Sequence, residues 1–226
     1  KLKFLKNSFY LAGGTALAGF YAGHRRSDDL DFFTGNQSAQ RAAVFAVKSL
    51  VKLGAVLNIQ SETAQYFEAT AKFDGHLFKV TAVLDAHLFS VGTSQLLEGN
   101  IRVVDLETLF KMKAATLVSR CSEKDLYDLL WLFTQFPART IGDLIRLGNE
   151  IDGGVNGEAV LISVSGAILS KDACGFSTAH EKNSASVFAE ILAFKKSIVL
   201  GVKAYLENEP TPELGKLVRK LEKLNK

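Results

Sequence analysis

The chain is poor in the residues that staple small proteins together or anchor them in membranes. It has 2 cysteines, Cys121 and Cys174, too few for a disulfide scaffold and without metal-ligand spacing. A disulfide-built module is excluded, a reducing cytoplasmic setting fits, and both thiols are expected to be buried and inert. Of the 4 histidines, His76, His87 and His180 show no ligand spacing and read as structural. No uninterrupted apolar run reaches the roughly 18 residues of a transmembrane helix, so no membrane span is expected. Charge of one sign is lacking too. With 27 basic against 24 acidic residues the net charge is +3, which tolerates a nucleic-acid partner without demanding one.

What the chain has in quantity is apolar side chain. Hydrophobic residues make up 47% of 226 positions and mean hydropathy is +0.12, enough for one large domain or two small ones and too much for disorder. Lys1, Lys3 and Lys6 followed by FYLAGGTALAGFYAG imitate a secretory leader. Two adjacent glycines interrupt that run, and cleavage after it would discard a turn on which the rest of the motif depends, so the segment is read as part of the fold. The chain does not begin with methionine, which leaves room for residues upstream.

That motif is LAGGTALAGFYAGHRRSDDLDFF, residues 11–33. In a strand, alternation sends Asp29 and Asp31 to one face and Leu30 and Phe32 to the other, so both carboxylates can reach one cation from a rigid support. Hard oxygen ligands suit Mg²⁺, which takes a few carboxylates and completes its shell with water and phosphate oxygens. Gly13 and Gly14 lack Cβ, so the backbone can turn sharply and let a phosphate approach the N–H groups opening the next helix, with Thr15 adding a hydroxyl. His24, Arg25 and Arg26 read either as substrate contacts or as a solvated loop. The acid pair alone is unspecific: 24 acids in this length give about 2.5 acid-x-acid pairs by chance, so the ordered context carries the weight.

Residues 36–53 have a helical apolar stripe ended by Gly54. Residues 55–59, 66–73 and 77–84 are rich in β-branched and aromatic side chains, and Asp74-Gly75 marks a hairpin. From Asp105 helical patterns dominate, interrupted at Pro137, Gly153-Gly154 and Pro210-Thr211-Pro212; residues 153–186 resist assignment. The expected organisation is α+β: a mixed sheet with flanking helices over 1–104, followed by a mainly helical domain over 105–226. Residues 187–206 read as an amphipathic helix. The tail carries Lys216, Arg219, Lys220, Lys223 and Lys226 against Glu213 and Glu222, a charged solvated face by default and otherwise a contact for RNA, an acidic protein or a membrane.

A second constellation opens the helical half. In a helix over 106–118, Lys113 falls on the stripe of Leu106, Leu109, Phe110 and Leu117, where an apolar residue is expected. Either its stem packs and its ammonium snorkels to water, or the ammonium serves a phosphate. Lys124-Asp125-Leu126-Tyr127-Asp128 puts Asp125 and Asp128 on one helical face, by itself the pattern of a solvated salt-bridge ladder.

Together these blocks resemble the AbiEii/AbiGii toxin family of the DNA polymerase β-like nucleotidyltransferase superfamily. The matching residues are Gly13-Gly14-Thr15-Ala16-Leu17-Ala18, His24-Arg25, Ser27 and Asp29-Leu30-Asp31-Phe32-Phe33. In the late block they are Leu106-Glu107, Met112-Lys113, Arg120, and Lys124-Asp125 with Asp128-Leu129. The resemblance spans residues 9–133. It implies the nucleotidyltransferase fold and transfer of a nucleotidyl group from an NTP to an acceptor such as RNA or a tRNA 3′ end, by a toxin paired with an antitoxin protein. Asp29 and Asp31 would hold Mg²⁺; Gly13, Gly14, Thr15, Arg25 and Ser27 would bind nucleotide. Lys113 and Arg120 would meet phosphate charge, with Asp125 orienting Lys113 or the acceptor and Asp128 in support. One position departs from the family pattern: where a third acid is expected on a later strand the sequence reads Phe78-Lys79-Val80-Thr81, with Asp74 and Asp85 nearby. Thr81 leaves a rival reading open, a catalytically degenerate protein that keeps the fold to bind nucleotide or a partner.

Overall fold

The computed structural model describes residues 9–97 and 101–218; Lys1, Lys3, Lys6, Arg219, Lys220, Glu222, Lys223 and Lys226 of the sequence reading lie outside them. The chain divides into two compact units, Lys1–Leu109 and Phe110–Lys226.

The first unit is built on seven strands: β1 (Phe9–Ala12), β2 (Asp29–Thr34), β3 (Val56–Glu62), β4 (Tyr66–Phe73), β5 (His76–Leu84), β6 (Ser94–Leu97) and β7 (Ile101–Val104). They form one sheet in the order β3-β4-β5-β2-β1-β7-β6. The β2–β5 and β1–β7 pairs are parallel and the other pairs antiparallel. Between β1 and β2 the chain forms a short helix, α1 (Gly13–Leu17), that widens into a π-turn over Ala18–Ala22. Helix α2 (Gln37–Lys48) starts where the Asn36 side chain accepts from the Ala39 N–H, satisfying one of the orphan donors of a helix start. The expected single helix over 36–53 is shorter: beyond Lys48 the chain tightens into a 3₁₀ turn, Ser49–Leu53, closed by Gly54 at φ +96. A left-handed C-terminal residue of this kind stops a helix, and glycine adopts it at no steric cost.

Alternation along β2 decides the two faces of the sheet. Leu30 and Phe32 pack into a core of Ala43, Val44 and Val47 from α2 with Phe67, Ala69, Val80 and Ala82 from β4 and β5, so Asp29 and Asp31 are left to the opposite face. On that face the short helix α3 (Ala86–Val91), capped by the Asp85 carboxylate accepting from the Leu88 N–H, stacks Phe89 on Tyr10 with centroids 4.1 Å apart.

The helical half comprises α4 (Leu106–Ser119), in which the division between the units falls, then α5 (Glu123–Gln135), α6 (Ile141–Asn149), α7 (Gly157–Gly166) and α8 (Ser184–Leu206). Helices α5 and α6 each open with a capping box, Ser122 with Asp125 and Thr140 with Asp143. In this second unit α5, α6 and α7 each pack against α8. The segment that resisted assignment, 153–186, holds α7 and a 3₁₀ turn at Asp172–Cys174. Both cysteines are buried and burial pushes both thiols up, that of Cys121 to about 11, so neither is a thiolate near neutrality. Among the described residues no helix is long and apolar enough to cross a membrane.

Candidate functional site

In the first unit, the turn, the acids and the basic loop come together around two glycines. Gly13 has φ +68, the left-handed region a Cβ disfavours. It also faces the Asp31 carboxylate: a Cβ built there would overlap Oδ2 and stand 3.1 Å from Cγ. Gly14 is held against Arg25 and Ser27 in the same way, with a built Cβ 3.1 Å from the Ser27 Oγ and 3.4 Å from the Arg25 Cζ. The glycines therefore make room for protein side chains as well as for the sharp turn.

The other predicted members line the same place. The Thr15 hydroxyl lies 3.0 Å from the Ser27 Oγ and also donates to the main-chain oxygen of Asp29, tying α1 to the start of β2. Arg25 is only 4% exposed, and its guanidinium donates to the Arg26 carbonyl at 2.9 Å, so it is no part of a solvated loop. His24 is half-buried.

Register across the sheet fixes what stands beside the acids. Asp31 pairs with Ala12 of β1 and Thr81 of β5, and Thr81 pairs with Glu68 of β4. Paired residues share a face, giving a row Ala12, Asp31, Thr81, Glu68. The row beside it runs Asp29, Lys79, Thr70. The Thr81 hydroxyl donates to Asp31 Oδ1 at 2.9 Å. Thr81 thus faces the acid pair where a third carboxylate was expected, and neither alternative fills in: Asp85 caps α3, and Asp74 sits in the β4–β5 turn at φ 51.

Glu68 is an acid of this face that the sequence reading did not single out. Its signal was nonetheless present, because the Asp74-Gly75 hairpin pairs Phe73 with His76 and, counting outward, Glu68 with Thr81. The Glu68 carboxylate accepts from the Tyr66 hydroxyl and lies 3.9 Å from the Lys79 ammonium. That hydrogen bond, burial, and the charges of Glu68 and Asp31 push the Tyr66 phenol up to about 12.

Two carboxylates on one strand face, one of them seated in a glycine cradle, are a donor set suited to a Mg²⁺ that brings water and phosphate oxygens as its other ligands. Among the described residues no group of three or more His, Cys, Asp or Glu could hold a metal ion.

The second unit holds the late constellation, and burial overturns both bland expectations for it. Asp125 and Asp128 are 0% exposed, so the Lys124 to Asp128 stretch is no solvated ladder. Lys113, 3% exposed, does not snorkel: its Nζ lies 2.9 Å from Asp125 Oδ1 and 2.7 Å from Asp128 Oδ2. Arg120 grips Asp125 with both Nε and Nη2, at 2.8 and 2.9 Å, while its side chain stays 63% exposed. The Ser122 hydroxyl, on the third side chain to donate to Asp125, lies at 2.6 Å. Burial by itself would raise the Asp125 carboxyl, but Lys113, Arg120 and Ser122 outweigh it and hold it down at about 2.

Residues 1–170 match the family described as nucleotidyl transferase AbiEii toxin, type IV TA system. Among solved structures the chain is similar to MenT4, nucleotidyltransferase toxin Rv2826c from Mycobacterium tuberculosis H37Rv, with 18% identity, 95% of this chain and 85% of that one covered, and a TM-score of 0.53. It is similar also to JHP933 from Helicobacter pylori, with 17% identity, 90% of each chain covered, and a TM-score of 0.50. At such identities the likeness is one of fold. No curated protein sequence matches.

Proposed function

The chain belongs to the AbiEii family of nucleotidyltransferase toxins, and from that premise we propose that it transfers a nucleotidyl group from an NTP to an RNA acceptor, a tRNA 3′ end being the form the family resemblance suggests. The observation that carries the reading is the seat of Asp31, whose carboxylate occupies the space of the missing Gly13 side chain and shares its strand face with Asp29.

In this reading Asp29 and Asp31 would hold Mg²⁺, which supplies polarisation of the α-phosphate and acidification of the acceptor hydroxyl. The chain's own part is positioning. Gly13 and Gly14 open the turn to the phosphates, and Thr15 and Ser27 fix its distance from β2 through their shared hydroxyl contact. The buried Arg25 offers a cation whose orientation is set before substrate arrives, and such preorganised charge favours the transition state without reorganising. In the helical unit the resemblance gives Lys113 and Arg120 the meeting of phosphate charge, and there Asp125 holds both cations, with Asp128 in support on Lys113. A toxin of this family has an antitoxin partner, and NTP and RNA as substrates place its proposed work in the cytoplasm.

Thr81 in the row of acids favours the rival in which the fold survives as a nucleotide- or partner-binding protein. One assay separates the two. Each NTP, labelled at the α-phosphate, is incubated with Mg²⁺ and total cellular RNA; transfer that disappears in Asp31→Asn supports the enzyme. Nucleotide binding without label transfer for all four NTPs supports the rival.

A further inference from the structure

The row Asp31, Thr81, Glu68 contains an acid to which the family pattern gives no role. We propose that Glu68 is a catalytic residue of the nucleotidyl transfer, the general base that takes the proton of the acceptor hydroxyl, one strand away from where the family's third acid would stand. The inference rests on the transferase reading and adds a residue to it.

The juxtaposition comes from register. Neighbouring strands lie about 4.8 Å apart, so the backbones at Asp31 and Glu68, with β5 between them, are separated by about 10 Å. Between the two acids stands Thr81, short, only 5% exposed and donating its hydroxyl to Asp31. Both longer side chains rise from the sheet on either side of it, on the same face. The backbone of Glu68 stands about 10 Å from that of Asp31 with Thr81 between them, so the proposal gives its carboxylate proton chemistry and leaves the cation to Asp29 and Asp31. The groups around it suit that task. The Tyr66 hydroxyl donates to it from the same strand, and the Lys79 ammonium lies 3.9 Å away on β5, beside Asp29 in register. These contacts hold the carboxylate oriented on the face that carries Asp31.

The step balances. The acceptor oxygen forms a bond to the α-phosphorus as the bond from that phosphorus to the pyrophosphate oxygen breaks. The electron pair of that bond leaves with pyrophosphate. The proton of the acceptor hydroxyl passes to Glu68, then to solvent.

The test uses the whole chain with α-labelled NTPs, Mg²⁺ and total cellular RNA. Gln accepts the Tyr66 hydrogen bond but takes no proton, so Glu68→Gln is expected to melt as the wild type does and to bind a non-hydrolysable NTP analogue within about twofold of it. Its turnover is expected to fall by about 10²–10⁴, the usual range for a general base. Adding Thr81→Asp to Glu68→Gln returns a carboxylate to the row and is expected to recover at least tenfold. Titration of Tyr66 by phenolate absorbance gives a readout independent of activity, and its midpoint should drop in Glu68→Gln. The inference is overturned if Glu68→Gln turns over within threefold of wild type, if its loss matches a loss of NTP affinity or melting temperature, if Thr81→Asp rescues nothing, or if Tyr66 does not shift. Transfer by the wild type that Glu68→Gln leaves unaffected removes Glu68 alone. Absence of transfer by the wild type removes the transferase reading with it.

Discussion

Replacing Lys113 by Met keeps most of the side-chain volume and deletes one charge from a place that water does not reach. Lys113 Nζ sits 2.7 Å from Asp128 and 2.9 Å from Asp125, two carboxylates that are 0% exposed. Asp125 retains the Arg120 guanidinium and the Ser122 hydroxyl, whereas Asp128 loses the ammonium it pairs with. Removing one partner of a buried ion pair costs about 3–5 kcal/mol, a large share of the roughly 5–15 kcal/mol that holds a domain folded. Urea unfolding at neutral pH should therefore show Lys113→Met less stable by about that amount. The double variant Lys113→Met with Asp128→Asn should regain part of it, because the second change removes a carboxylate charge from beside the deleted ammonium. A Lys113→Met protein within about 1 kcal/mol of wild type, well below the buried-pair range, would refute the argument that this ammonium holds the helical unit together. If that stable variant also lost turnover, Lys113 would be serving phosphate directly.

The same cluster sets a pH limit. An Asp125 carboxyl lowered from 3.8 to about 2 contributes roughly 2–3 kcal/mol at neutral pH, at about 1.4 kcal/mol per unit. Because the folded value lies below the unfolded one, this stability is complete above about pH 4 and is lost as pH falls toward 2; acid unfolding of Asp125→Asn should lack that contribution. Gly13→Ala should lower the melting temperature and abolish transfer, since it meets both a positive φ and the Asp31 carboxylate; normal transfer by this variant would show that the cradle does not position Asp31. Thr81→Asp in the natural background should tighten Mg²⁺ binding in the presence of nucleotide several-fold by calorimetry, on the gain of a carboxylate ligand. Unchanged binding would mean that position 81 does not face the cation platform.

The parts of the fold legible in the sequence were those with strong local signals. β4 is bounded by residues 66–73 as expected, and the hairpin turns at Asp74-Gly75, where turn chemistry and alternation agree. Strands β1, β6 and β7, each of 4 residues, were invisible because so short a run carries no period; distant partners make them strands. In the candidate site, alternation found the shared face of Asp29 and Asp31, and the resemblance supplied the late residues. What local pattern could not supply was depth. Lys124 to Asp128 reads as a surface ladder, and only the packing of α5 shows Asp125 and Asp128 to be buried with Lys113 between them. Glu68 escaped for a different reason: its neighbourhood is a property of register, which places it opposite Thr81, 13 residues along the chain.

The strand order also fixes a timetable. β1 lies in the interior of the sheet, and its second edge is covered by β7, residues 101–104. A chain leaving the ribosome at about 5–20 residues per second must wait on the order of 5–20 s between making the first of these strands and the second. The aspartates of β2 emerge early, but Thr81 and Glu68 join their row only after the β4–β5 hairpin has docked in parallel beside β2. A growing chain thus carries the acid pair well before it carries the face on which the pair would work, and the open flank of β1 is exposed throughout that interval to whatever can add a strand to it.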